Sequence, residues 1–256
     1  MRESGRFVSG LRLAFATLTV VPMRSGRVDR TTAAVAMSLA PAVGLALGVV
    51  AAAVGLGLRA LGAPLLLAAV GAVAASAVLT RGLHLDGLAD TADGLGSYRD
   101  RETALAIMRK PDIGPFGVIT LVLVLLAQVS AATAVLARPW PAAAAGVVVA
   151  VAAGRVAVAL ACRRGVPSAR TDGLGALVAG TVPAAVCVVA AAVVAVVAVP
   201  AVPGRPWQGP LAIALAVLAV LALCGHATRR LGGITGDVIG ASAEIAVTAT
   251  YVVLSI

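Results

Sequence analysis

Seven long runs without charge dominate this chain and restrict what it can fold into. They extend from Thr31 to Leu58, Ala60 to Thr80, Ile113 to Ala137, Pro139 to Gly154, Gly173 to Gly204, Pro206 to Thr228 and Val238 to Ile256; only the last holds a charge, Glu244. Lipid offers backbone N–H and C=O groups no partner. A run of about 20 apolar residues therefore crosses it as a helix that satisfies those groups internally. The fourth run is short, so its span is expected to continue past Arg155 to Cys162, with the arginine near the cytosolic end or facing protein. Two of the longest runs must include loop or tilt. The expected fold class is all-α, a polytopic integral membrane bundle of about seven transmembrane helices forming a single domain over 1–256. Composition agrees: 61% of the residues are hydrophobic and 12% charged, against about 25% charged in soluble domains.

Lys and Arg are retained on the cytosolic side of a membrane. With the N-terminus inside, all but three of the 20 basic residues fall on inner segments, from Arg2, Arg6, Arg12, Arg24, Arg27 and Arg30 through to Arg229 and Arg230. The exceptions are Arg59, Arg138 and Arg205. The acids took no part in that assignment, yet all 11 fall on its inner side, Glu244 just within the last span. The chemistry is therefore expected to face the cytosol, from a multi-pass protein of the cytoplasmic membrane. The net charge of +9 is accounted for by topology and anionic lipid headgroups, and no aromatic-rich basic module suggests nucleic acid as a partner. Cys162, Cys187 and Cys224 stand singly without metal or redox spacing and read as small core residues. No cleavage site precedes the first span, so a removed signal peptide is not expected. Residues 1–30 read as a cytosolic interfacial helix, with Phe7, Leu11, Phe15 and Leu18 at helical spacing and an end at Pro22.

Three inner segments carry the informative residues: Arg81 to Gly117, Arg155 to Asp172, and Arg229 to Glu244. In the first, HLDGLADTADG places Asp86, Asp90 and Asp93 at i, i+4 and i+7, on one helical face. Like charges so spaced repel, and no basic residue lies between Arg81 and Arg99 to offset them. A hard divalent cation such as Mg²⁺, held by carboxylates together with substrate phosphates, supplies the compensation. Helix caps or a solvated face are the plainer readings. Gly82, Gly87, Gly94 and Gly96 are read as backbone room for a bulky phosphorylated ligand. For His84 three readings stay open: general base, hydrogen-bonding partner of a ligand, or interfacial histidine.

Arg109 and Lys110, closing a short amphipathic helix before Pro111, are candidates for phosphate oxygens, with simple positive flanking as the alternative. In the third segment Thr235 and Gly236 sit in a glycine-rich turn able to bind phosphate through backbone N–H groups. Asp237 and Glu244, seven residues apart, are candidate further metal ligands, with a structural pairing of Glu244 to Arg155 or Arg229 as the alternative. The set fits phosphoryl or nucleotidyl transfer between amphiphilic substrates.

The same residues resemble the cobalamin synthase family, the adenosylcobinamide-GDP ribazoletransferases. The likeness covers almost the whole chain: LTVVPMR from Leu18, PAVGLALG from Pro41, GLHLDGLADTADG from Gly82, ALAIMRKPDIGPFG from Ala104 and GGITGDVIGASAE from Gly232. The chain departs from the family's pattern at Arg109 to Asp112, where the acid comes two positions late and the base two early, and at Val247, where a second glutamate often stands. The resemblance implies transfer of the adenosylcobinamide phosphate moiety of adenosylcobinamide-GDP to α-ribazole or its 5′-phosphate, with GMP released and Mg²⁺ required. It assigns Asp86, Asp90 and Asp93 to Mg²⁺ and diphosphate, Asp237 and Glu244 to further ligands, Arg109 to the guanosine diphosphate and His84 to a proton. Two other classes are kept in view. One is a CDP-alcohol phosphotransferase, whose motif Asp90 to Gly94 begins but Ser97-Tyr98 does not continue; the other is a divalent-cation transporter.

Overall fold

The computed structural model describes residues 2–23 and 28–256, with side chains described from Gly5 onward. Arg24 and Arg27, and the side chains of Arg2 and Glu3, lie outside the described residues. What is described is helical, with only two isolated bridges between extended segments. In chain order the helices are α1 (Arg2–Leu18), α2 (Arg30–Ala60), α3 (Leu65–Leu79), α4 (Leu83–Gly96), α5 (Arg101–Ile107), α6 (Pro115–Leu136), α7 (Trp140–Ala161), α8 (Gly173–Val178), α9 (Ala184–Val197), α10 (Gln208–Leu231) and α11 (Gly236–Ser255). Six are long and apolar enough to cross a membrane when α9 is taken on to Ala201; the number is seven if α3 is counted together with the bent-off α4 as one broken span. The long run from Gly173 to Gly204 resolves into short α8, a loop and α9. At 31 residues α2 reaches about 46 Å, well beyond a hydrocarbon core of about 30 Å.

Helix ends follow local chemistry. Asp29 caps α2, accepting the Thr32 N–H at 2.8 Å, and Asp100 caps α5 through the Thr103 N–H. Proline opens α3, α6, α7 and α9, where a missing N–H costs nothing. Central α7 is buried almost from end to end, with α2, α6, α9, α10 and α11 packed around it. Small residues make this possible: a Cβ on Gly48 of α2 would stand 2.7 Å from the Val148 carbonyl oxygen, and one on Gly44 3.1 Å from the Ala152 Cα.

The α1 end of the bundle gathers α1, the α3–α6 connection, the α7–α9 loop and the α10–α11 turn. α1 packs on α2 through Gly10, Leu13, Ala14 and Leu18, while Phe7 stays 53% exposed. The expected Phe7–Leu18 line is thus only partly the packing face, because glycine at position 10 lets the chain approach Val35 on the neighbouring side. At the opposite end the three exceptional arginines serve helix C-termini, where carbonyls lack partners. Arg59 donates to the Leu136 and Arg138 carbonyls at 2.6 and 2.7 Å and lies over Trp140. Arg138 donates to Ala201 and Leu254, and Arg205 to Ile256.

One element turns out of the bundle. Arg81 and Gly82 both take positive φ, +57° and +68°, so α4 leaves α3 at 87°. It lies along the α1 end across the first turns of α6 and α11, outside the crossing segments.

Replacing Gly48 by Val should therefore destabilise the α2–α7 crossing by about 1–3 kcal/mol and lower the thermal midpoint in detergent. Gly57→Val on the same helix, where nothing lies within 4 Å, should not.

Candidate active site

The site is assembled by a close crossing of α4 over α11. A Cβ on Gly87 would stand 2.7 Å from the Asp237 carbonyl oxygen, and one on Gly240 3.2 Å from the His84 Cα and 3.3 Å from the Gly87 Cα. With no side chain in the way, Asp237 comes beside Asp86 and Asp90. The glycines expected to make room for ligand are used differently. Gly87 serves this contact, Gly94 and Gly96 meet Met108 and Phe116, and Gly82 makes the turn into α4.

The three aspartates of the α4 stripe have unlike surroundings. Asp93 is buried, 6% exposed, and both its oxygens are engaged: Oδ2 accepts the Gly114 N–H at 2.7 Å and Oδ1 the Gly117 N–H at 2.9 Å. It anchors α4 to the N-terminus of α6, whose unpaired N–H groups and positive dipole end suit a carboxylate. Asp90 is raised to about 6 by burial first, then by the charges of Asp237, Asp86 and Asp93, with Arg170 opposing. Asp86 lines the main cavity.

Opposite them stands Arg170, from the loop between α7 and α8. Its Nη1 is 3.5 Å from Asp237 Oδ2, its Nη2 donates to the Leu105 carbonyl at 3.0 Å, and its buried Nε has no partner. Sequence reading counted Arg170 only among the basic inner residues. Its acidic partner lies 67 residues away, so spacing held no signal beyond membership of the second inner segment. Asp172, also missed, bridges to Arg109 at 2.6 Å with both side chains exposed.

A cavity of about 210 Å³ opens between α1, α2, α4, α8 and α11. His84, Asp86, Arg170, Asp172, Thr235 and Asp237 supply polar lining, and Leu18, Met37, Leu83, Val158 and Ile239 a greasy wall. His84 is 2% exposed, its Nδ1 unpartnered. Burial, aided by the positive Arg155, holds it well below the ordinary imidazole range, so it is neutral. It is not a solvent-exposed interfacial histidine. Thr235 caps α11 through the Val238 N–H, and its hydroxyl donates to Asp237; Gly236 lines the cavity beside it.

Other expected members lie elsewhere. Seven residues along α11, a rise of about 10 Å, Glu244 sits inside the bundle, where it accepts from Gln128 Nε2 at 2.8 Å and shares a separate small cavity with Arg155 and Tyr251. It is not brought to the aspartates. Lys110 is exposed and lines neither that cavity nor the main one. Asp112 makes no ion pair among the described residues; the only two are Arg109–Asp172 and Arg170–Asp237. No three His, Cys, Asp or Glu side chains among the described residues converge as a metal cage. The grouping of Asp86, Asp90 and Asp237 nevertheless suits a hard cation in its donors: carboxylate oxygens whose mutual repulsion is only partly offset by Arg170. The three cysteines are free and buried, as expected of core residues.

These features define a polytopic, all-α membrane protein with a carboxylate- and arginine-lined cavity at one end of its bundle. Over residues 10–255 the chain matches the cobalamin-5-phosphate synthase (CobS) family, and it belongs to that family. Among its relatives, the adenosylcobinamide-GDP ribazoletransferase of Frankia casuarinae is 42% identical, over 95% of this chain and 93% of its own. The proteins of that name from Nocardioides sp. and Azorhizobium caulinodans are 41% and 39% identical, covering 98% and 80% of this chain and 97% and 78% of their own. No solved structure matches.

Asp93→Asn should cost about 1–3 kcal/mol, since an amide cannot accept both N–H groups, and should lower the thermal midpoint. Asp90→Asn should behave oppositely in metal-free buffer. Between its ordinary value of 3.8 and about 6, folded Asp90 keeps a proton that the unfolded chain has lost, so stability falls as pH rises through that window. Thermal melts across it should flatten when Asp90 is replaced by Asn.

Proposed function

We propose that this protein is an adenosylcobinamide-GDP ribazoletransferase. The observation that carries the reading is the grouping of Asp90 with Asp86, Asp237 and Arg170, the last three of which line an amphipathic cavity, in a chain whose relatives bear that name across nearly their full length. A free ribose hydroxyl of α-ribazole, or of its 5′-phosphate with that phosphate left in place, loses its proton and bonds through oxygen to the cobinamide-side phosphorus of adenosylcobinamide-GDP. The bond from that phosphorus to the bridging oxygen breaks, and GMP leaves with the electron pair.

The chain's part is to position and to balance charge. Arg170 places a guanidinium with a free Nε beside the diphosphate. The greasy wall of Leu18, Met37 and Ile239 receives the apolar base of the acceptor. Neutral His84, its Nδ1 unpaired, can accept a hydrogen bond from a hydroxyl acceptor and so orient it. Asp86, Asp90 and Asp237 would hold Mg²⁺, which when bound offsets charge on the transferring and leaving phosphates. Asp93 supports this set by fixing α4, and Glu244 lies outside it.

The positive-inside distribution supports a cytoplasmic-membrane location with the site on the cytosolic side, and the single domain carries its active-site segment at 81–117. A CDP-alcohol phosphotransferase is disfavoured by the family match. A cation transporter is disfavoured by carboxylates at the end of the bundle rather than near the midplane.

Asp90→Asn should abolish transfer while leaving membrane insertion intact, and near-normal activity would sink the assignment. Chelation of divalent ions should stop turnover and added Mg²⁺ restore it. The gene should complement a cobamide-assembly mutant fed cobinamide; failure despite good expression would count against the reaction.

A further inference from the structure

The main cavity has a neighbour. One face of α5 and its continuation, Glu102, Leu105, Ala106 and Arg109 at i, i+3, i+4 and i+7, looks across at the Ala169–Asp172 loop and flanks a second, solvent-open cavity of about 470 Å³. Arg170 and Asp172 line both spaces, so Arg170 is the cation at their junction. The deep cavity has a greasy wall and is small. The outer one falls within the roughly 300–1,000 Å³ of ordinary ligand clefts. It offers an apolar floor at Leu105 and Ala106, with Glu102 and Arg109 on the α5 side and Arg170 facing them from the loop. Among the described residues Glu102 makes no side-chain hydrogen bond or ion pair, unlike Asp100 two residues before it and Asp172 across the cavity.

We propose that the outer cavity is the guanine-nucleotide subsite, with the guanine edge on Glu102 and the diphosphate on Arg170, and that the deep cavity takes the acceptor. This assignment rests on the transferase reading above. Its logic is geometric: in a displacement at phosphorus the entering and leaving oxygens stand on opposite sides of the reacting atom, and Arg170 is the phosphate-binding group with a cavity on each side. A carboxylate accepts from the N1–H and the amino group of guanine together, whereas adenine presents no N1–H at that edge. The Arg109–Asp172 bridge stands at the exposed rim of the outer space, where an entering phosphate can exchange with Asp172 for Arg109.

The test uses the full-length protein in detergent, with GMP and AMP as calorimetric probes and steady-state transfer as the second readout. Glu102→Gln should weaken GMP about tenfold, the worth of a hydrogen bond to a charged group. It should leave AMP unchanged and the acceptor KM untouched. Leu174→Trp, which narrows only the deep cavity, should raise the acceptor KM with GMP affinity intact. An unchanged GMP-to-AMP ratio in Glu102→Gln, or the two variants exchanging their effects, would overturn the assignment while leaving the transferase reading in place. Wild-type protein that transfers nothing overturns that reading, and this assignment with it.

Discussion

The contact of two glycine backbones, Gly87 on α4 and Gly240 on α11, is the constraint on which the site depends. α4 can lie across the end of the bundle only because nothing projects at that crossing. It is held there by Asp93, whose carboxylate takes two N–H groups from the start of α6. A helix start leaves its first N–H groups unpaired, and a buried carboxylate needs donors. Each satisfies the other, which leaves Asp86 to line the cavity with Asp90 and Asp237 close by.

Charge is divided between the ends of the bundle by use as well as by number. At the end opposite α1, Arg59, Arg138 and Arg205 close helix C-termini by donating to carbonyls. At the α1 end some arginines do the same work, Arg101 on Leu231 and Ala169 and Arg30 on Ala176 and Ala179. Arg170 does so with Nη2 alone, on Leu105; with Nε unpaired and Asp237 at the long limit of an ion pair, it keeps capacity for an anion. The family match over residues 10–255 takes in every residue that lines this cavity.

Much of this was legible along the chain. The apolar runs foretold the crossings because a membrane helix is a local object, needing only length and hydrophobicity. The spacing of Asp86, Asp90 and Asp93 put them on one face of a helix, and α4 carries all three. Roles within the stripe were not legible: whether an aspartate faces a ligand or a neighbouring helix start depends on the packing of α6, 21 to 24 residues further on. Glycine was misread for a similar reason, since a missing Cβ gives room to whatever arrives, and here another helix does.

Sequence by itself determined an all-α bundle of about seven crossings, its concentration of acids at one end, and the family of its chemistry. Tertiary structure decided the membership of the site. It brought Arg170 in, set Glu244 apart with Gln128 deep in the bundle, and used Asp93 to hold α4 in place. The reason is reach: helical periodicity relates residues within a few turns of one segment, while Arg170, Asp237 and Asp90 meet only where three separate segments are packed together.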